Sequence, residues 1–344
     1  MLREIAMHTD WCDKTMSMLK EKQFEACERR IAARPSVNLF SDAMTDDEVQ
    51  SLFECSYYYR EMGFVLVTRE ELQNRVLTLL PTEVCFLSRE EASLLERLLA
   101  ADGHLELTDW DHPGAAESLC DRLWCTFGKS DGWTLELPSQ LQRPLIEAMT
   151  QDDYTQKREL LYRYEAMMKG LLYTAGFLHF AQPIQLFLHE IIDAKVENAK
   201  HIAIRYLRAA FEYTEMQNGE LIFLHPGLAE PFRVLSIIKR NALFAVEVSQ
   251  DMIMGGMHGI FEEERPLHEA MCGALSGFLR PEYDAEEAAE DLRFLVKQGV
   301  SLTEMTEVLA SMLCVRPTEE MKNALKQLQM GVTCWFGFQS ACVH

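Results

Sequence analysis

Residues 84–99, VCFLSREEASLLERLL, decide the fold class. Four apolar residues precede Ser88, and Glu91 stands three places further on. That is the spacing of a capping box, in which the hydroxyl accepts from the N3 amide and the carboxylate reaches back to the cap amide. Behind the box, Ala92, Leu95, Leu98 and Leu99 fall on one helical face, with Leu94 flanking it. Residues 64–80, FVLVTREELQNRVLTLL, repeat the pattern around Thr68 and Glu71. In each copy the apolar run can enter the core as a short strand or a hydrophobic staple. The match fades beyond the caps, so the repetition is helix-start chemistry rather than an internal duplication.

The same signal recurs at Thr45–Glu48, where a helix to about residue 59 is expected, and at Ser301–Glu304. Residues 2–33 have helical periodicity, stopped by Pro35. GHLELTDW (103–110) reads as a strand, and HPGAAESLCDRLWCTFG (112–128) as a helix with Pro113 in its first turn. DGWTLELPSQL (131–141) holds a strand with Trp133, Leu135 and Leu137 on one face. From residue 154 helices dominate: 154–177, a helix opening at Pro183, 197–213, 284–298 and 318–329. A short strand in 219–228 and paired glycines at 255–256 interrupt them. Acids crowd the start of the 284–298 helix, and Gly299 is its stop. The apolar, aromatic residues 331–344 are expected to pack back on the body.

This layout implies a predominantly α-helical α+β protein. A helical segment occupies 1–40, a small mixed module 41–150 and an all-helical domain 151–344. Helix, strand, helix, strand within 41–150 is the order of a winged-helix-like module, a fold often used on DNA. Charge opposes that use: residues 84–145 carry five Arg or Lys against eleven Asp or Glu. The candidate recognition helix offers only Arg122 and Lys129. Affinity for DNA rests on neutralising phosphates, so protein contact is the expected role.

The whole chain, 344 residues with 54 acidic and 33 basic, has a formal charge of −21. Such a surface repels nucleic acid and acidic membranes and suits a basic partner. The N-terminal residues lack the apolar core of a signal peptide, and no stretch reaches about 18 consecutive apolar residues. A cytoplasmic chain without a membrane span is expected. The ten scattered cysteines are expected to be buried or free thiols.

MTDDEVQSLF (44–53), LSREEASLLERLL (87–99), WTLELPSQL (133–141), YRYEAMMKGLLYTAGF (162–177) and TCWFGFQ (333–339) together resemble a loose group of uncharacterised helical proteins of gut Firmicutes. Members often carry a C-terminal zinc knuckle similar to that of SecA, of which this sequence has no full copy. The resemblance implies architecture and no activity.

Three metal sets are conceivable. His104, His112, Cys120 and Cys125 bracket one module, but without the tight pair spacing usual for zinc. Cys334, Cys342 and His344 resemble the start of a knuckle that lacks its paired cysteine. His189-Glu190-Ile-Ile-Asp193 resembles a metalloprotease helix with Asp in the last ligand position, and a third ligand is not evident. Buried thiols, surface histidines and a simple i, i+4 pair are the plainer readings. No nucleophile elbow and no phosphate-binding glycine motif occurs. No catalytic residue and no cofactor is therefore expected.

Two charged faces remain. Lys195, Lys200, Arg205 and Arg208 line one side of a helix, and a solvated face or one docking on acids of the same chain is expected. Residues 261–307 hold twelve acids against four bases, including Glu262, Glu263, Glu264, Glu286, Glu287, Glu290 and Asp291. The leading expectation is a non-enzymatic protein-interaction or regulatory protein with a protein partner, no direct DNA binding and no membrane. The alternatives are an acidic decoy that inhibits a defence or nucleic-acid enzyme, and a metal-dependent enzyme around His189.

Overall fold

A computed structural model of the chain describes residues 34–41, 44–56, 59–60, 63–65, 68–107, 113–129, 133–192, 196, 198–215, 221–228 and 254–335. The expected 2–33 helix lies outside them. The fold is a predominantly helical α+β one in two compact units, residues 20–164 with 184–211, and residues 1–19 and 165–183 with 212–344. No helix among the described residues is long and apolar enough to cross a membrane.

In the first, mixed unit the expected caps start the helices. Helix α1 (Asp46–Cys55) has the full box at Thr45 and Glu48. Helix α2 (Arg69–Glu83) is capped by Thr68, whose side chain accepts from the Glu71 amide. Helix α3 (Arg89–Ala100) has the full box at Ser88 and Glu91. The two apolar runs before the caps behave differently. Val84–Phe86 is a buried 3₁₀ turn that continues the winding of α2. In the first run Phe64 is half-buried and Val65 is 82% exposed, and residues 66–67 lie outside the described residues.

Strand β1 (His104–Leu107) is followed by α4 (Pro113–Asp121), then β2 (Thr126–Lys129) and β3 (Trp133–Glu136). The sheet is antiparallel in the order β1-β3-β2, with Leu135 opposite both Leu105 and Phe127. The helix expected to reach residue 128 ends at Asp121. Leu123 adopts a left-handed φ of 60°, which reverses the chain and releases residues 126–129 to pair with β3.

Helix α5 (Ser139–Met149) and the first part of α6 (Asp152–Ala175) follow. The end of α7 (Ala181–Glu190) and α8 (Ala199–Ala210) also belong to this unit, so its limit does not fall at residue 150. Three buried rings give the physical reason. Phe187 lies 5.3 Å from Tyr164 and 5.0 Å from Tyr206, centroid to centroid.

Buried charges hold the mixed unit internally. Arg122 reaches Glu91 at 2.5 Å and Glu83 at 3.5 Å, all three side chains being nearly inaccessible. Asp121 takes Arg34 at 3.0 Å and Arg205 at 2.8 Å. Burial pushes both the Glu91 and Asp121 carboxyls up, but the facing guanidiniums outweigh it and leave each below its ordinary value. A carboxylate lowered in the folded state stabilises above its unfolded pKa, and the stabilisation is lost as pH falls through the folded one. Acid titration from about pH 5 to pH 2 should therefore lower the melting temperature. The fall should be shallower in Asp121→Asn, as followed by circular dichroism. Equal slopes in both proteins would exclude this origin.

The second, C-terminal unit is not all helix. Gly176 ends α6 at a φ of 81°, and β4 (Phe177–His179), β5 (Tyr213–Glu215) and β6 (Leu221–Leu224) form an antiparallel sheet in the order β4-β6-β5. Every residue of β6 is buried. An apolar run of four with no alternation fits a strand covered on both faces. Four helices follow: α9 (Arg265–Leu275), α10 (Ala285–Lys297), α11 (Leu302–Met312) and α12 (Glu319–Gly331). Met271, Leu275, Leu292, Met305, Leu309, Leu325 and Leu328 share their core. The stop at Gly299 (φ 73°) and the full box at Ser301 turn α10 into α11 as expected. Trp335, fully buried, packs with Phe177, Ile222, Leu224 and Leu228. Residues 336–344 lie outside the described residues.

Candidate functional site

Helix α10 carries six charged side chains, and packing sorts them by sign. Its two cations, Arg293 and Lys297, are buried, while Glu286, Glu287 and Asp291 are exposed and Glu290 is half-exposed. Glu262 and Glu263, just before α9, are exposed as well. The outward charge of α10 is thus purely negative, although its sequence is mixed.

The buried cations are held by a connected network. Lys297 Nζ donates to Glu264 Oε1 at 2.8 Å, with both side chains inaccessible. Tyr173 donates its hydroxyl to Glu264 Oε2 at 2.7 Å and accepts from Arg293 at 2.9 Å. Arg293 also donates to the Gly259 carbonyl at 3.0 Å and to Glu290 at 3.0 Å. The Lys297 ammonium lies over the Tyr173 ring, 4.4 Å from its centroid. Burial, and then Glu264, hold the Tyr173 phenol protonated well above its usual range. Nearby His225 is pushed down to about 4 by burial, with Lys297 and Arg293 adding to it, and its Nδ1 accepts from the Gly227 amide at 3.0 Å. Each member of this network has a structural partner. It is a neutralised core that leaves the surrounding acids outward.

A second constellation lies where α9 meets the start of α10. His268 and Cys272 are four residues apart on α9, hence one above the other on a single face. Glu286 comes from the first turn of α10, whose N-cap is Asp284. His268 Nε2 lies 2.9 Å from Glu286 Oε1 and 3.5 Å from Cys272 Sγ, which is 3.3 Å from Glu286 Oε2. The imidazole is buried, the thiol half-buried and the carboxylate exposed. The hydrogen bonds from His268 and Cys272 draw the Glu286 carboxyl below its ordinary value. Burial, and then the same carboxylate, push the Cys272 thiol up to about 12.

This is not a nucleophilic triad. There the acid orients one ring nitrogen and the nucleophile uses the other. Here the carboxylate and the thiol both face Nε2, and Nδ1 has no hydrogen-bond partner. A thiol held protonated is also a poor nucleophile. The three donor atoms all lie within 4.8 Å of one another, a spacing suited to gathering a cation.

The metal sets anticipated from sequence do not assemble. His104 is exposed on β1, near Glu136 at 3.7 Å. Cys120 and Cys125 are buried with burial-raised thiols, and His112 lies outside the described residues. Among the described residues these side chains form no converging ligand group. Helix α7 ends at Glu190, so the helix that was to place Asp193 one turn from His189 stops first. His189 is 82% exposed and pairs with Glu190 at 2.7 Å, and Asp193 lies outside the described residues. Cys334 is disulfide-bonded, so it is neither the free thiol nor the thiolate ligand expected. Cys342 and His344 lie outside the described residues.

The charged faces change too. Glu264, expected on the acidic face, is fully buried because it neutralises Lys297. Arg205, expected on the basic face, pairs with Asp121 and donates to the Ser118 carbonyl at 2.6 Å. Arg208 is half-buried, Lys200 is exposed, and Lys195 lies outside the described residues. No continuous basic stripe survives among the described members of that set.

The His268, Cys272 and Glu286 cluster was missed. A His-x-x-x-Cys step inside a helical period was the available signal. Its third member comes from the next helix, and only its charge was read. No protein-family model matches the chain, and no curated protein or solved structure matches it either.

Proposed function

We propose that the chain is a cytoplasmic, non-enzymatic protein-interaction or regulatory protein that docks a basic protein partner on the acidic face around α10. One observation carries the reading: α10 buries both of its cations and exposes its acids. A face of one sign speeds and selects the approach of a partner of the opposite sign. The mixed unit supports protein contact over DNA contact. Its β1-β3-β2 sheet, with one helix between β1 and β2, suits a winged-helix-like module. Arg122, just past that helix, is buried between Glu83 and Glu91 and has nothing to offer a phosphate.

The test is a tagged full-length chain in a nuclease-treated bacterial lysate, washed at about 0.15 M and about 1 M salt. Between these the Debye length falls from about 8 Å to about 3 Å. The expected partner is basic, leaves at high salt, and binds at least tenfold more weakly to a Glu262→Gln, Glu263→Gln, Glu287→Gln variant. Equal capture by that variant would overturn the proposed face. Competition by added duplex DNA would instead place the face in a nucleic-acid groove, as a decoy inhibitor requires.

A further inference from the structure

The hydrogen-bonded cluster of His268, Cys272 and Glu286 has the chemistry and the spacing of a zinc site. We propose that these three side chains bind one Zn²⁺ ion through His268 Nε2, Cys272 Sγ and a Glu286 carboxylate oxygen, with the fourth position open to water. The inference stands apart from the docking face and does not depend on it.

The donor set points to the metal. Thiolate and imidazole favour a borderline-soft ion, and calcium and magnesium take oxygen shells instead. Geometry agrees. Zn–N, Zn–O and Zn–S bonds at the tetrahedral angle give ligand-to-ligand edges of about 3.4–3.6 Å. The Nε2–Sγ edge is 3.5 Å; the carboxylate meets Nε2 through Oε1 at 2.9 Å and Sγ through Oε2 at 3.3 Å, and one atom from each residue lies within 4.8 Å of the other two. Bringing one oxygen to bonding distance of an ion shared with Nε2 and Sγ is a side-chain rotation, and the exposed Glu286 has room to make it. The backbone supplies the rest: one helix turn fixes His268 over Cys272, and the Asp284 cap fixes the turn that bears Glu286.

Exposure also fits a site with one open position. The imidazole is rooted in the core, while the carboxylate, 74% exposed, stands at the solvent edge. Charge balances, since one thiolate and one carboxylate cancel the ion. The surrounding acids raise the local cation concentration.

Binding has a defined proton balance. In the metal-free cluster the Cys272 thiol donates to Glu286. Zn²⁺ takes the thiolate and releases that proton to solvent. The thiol proton leaves as the ion binds, so zinc binding should release a proton and strengthen as pH rises.

The experiment uses the full chain, stripped with chelator and titrated with Zn²⁺ by calorimetry in buffers of different ionisation enthalpy. A parallel titration with Co²⁺ reads the thiolate-to-cobalt charge-transfer band. One equivalent of zinc, one released proton and a cobalt–thiolate band are expected. Cys272→Ser should abolish the band. Glu286→Gln, an exposed change that leaves the fold intact by circular dichroism, should weaken binding at least tenfold. Absence of stoichiometric binding at micromolar zinc would overturn the proposal. So would binding unchanged by Glu286→Gln, which would place the metal on other cysteines.

Discussion

Lys297→Met is expected to destabilise the C-terminal unit by about 3–5 kcal/mol, the cost of breaking a buried ion pair from one side. The Lys297 ammonium is the cation closest to the Glu264 carboxylate, and neither side chain reaches solvent. Removing it leaves Glu264 with the Tyr173 hydroxyl and the Thr333 amide as donors. Two hydrogen bonds from neutral groups do not offset the desolvation of a charge. A drop of roughly 6–20 °C in melting temperature follows from that loss. The control separates charge from packing. Glu264→Gln with Lys297→Met removes both charges and keeps the volumes, and should recover most of the loss. If the double variant melts no higher than Lys297→Met alone, the pair is not what stabilises this core.

Trp335→Ala should cost the same unit about 3–5 kcal/mol, the range for removing a fully buried aromatic ring. The indole is inaccessible, packs with β4 and β6 residues, and donates Nε1–H to the Tyr173 carbonyl at 2.6 Å. The loss therefore combines a cavity with an unsatisfied buried carbonyl. Gly176 faces the same ring. A Cβ there would stand 2.7 Å from the indole, and the φ of 81° already disfavours a side chain. Gly176→Ala should thus destabilise from the opposite side by overpacking and backbone strain. Urea unfolding followed by tryptophan fluorescence and circular dichroism would measure both variants. A Trp335→Ala loss below about 1 kcal/mol, that of an ordinary surface change, would show that this ring is not part of the core.

Helix starts were the most legible part of this chain. Thr45, Thr68, Ser88, Asp284, Ser301 and Thr318 all cap helices in the structure. The information needed for a cap lies within four residues, so the sequence displays it directly. The β-rich stretches were less legible. Residues 126–129 follow an apolar-spaced helix with no break residue before them, and a left-handed Leu123 and the partner strand β3 make them a strand. The second sheet was readable only at β6, because strands of three residues such as β4 and β5 have too little pattern to be seen alone.

The sequence by itself determined the helical α+β class, the positions of most helices and the strong excess of acids. Each of these follows from local spacing or from a sum over residues. The tertiary structure alone decided which charges face water. Glu264 and Glu263 are neighbours in the same acidic run, yet one is buried against Lys297 and the other is exposed. Arg293 and Lys297 share a helix with exposed acids, yet they turn inward because Tyr173, Glu264 and Gly259 wait there with acceptors. The His268, Cys272 and Glu286 cluster was decided in the same way, by a contact between two helices, with Cys272 and Glu286 14 residues apart in sequence. Desolvation makes a buried charge tolerable only beside its partner, and partners are chosen by packing, which no local window contains.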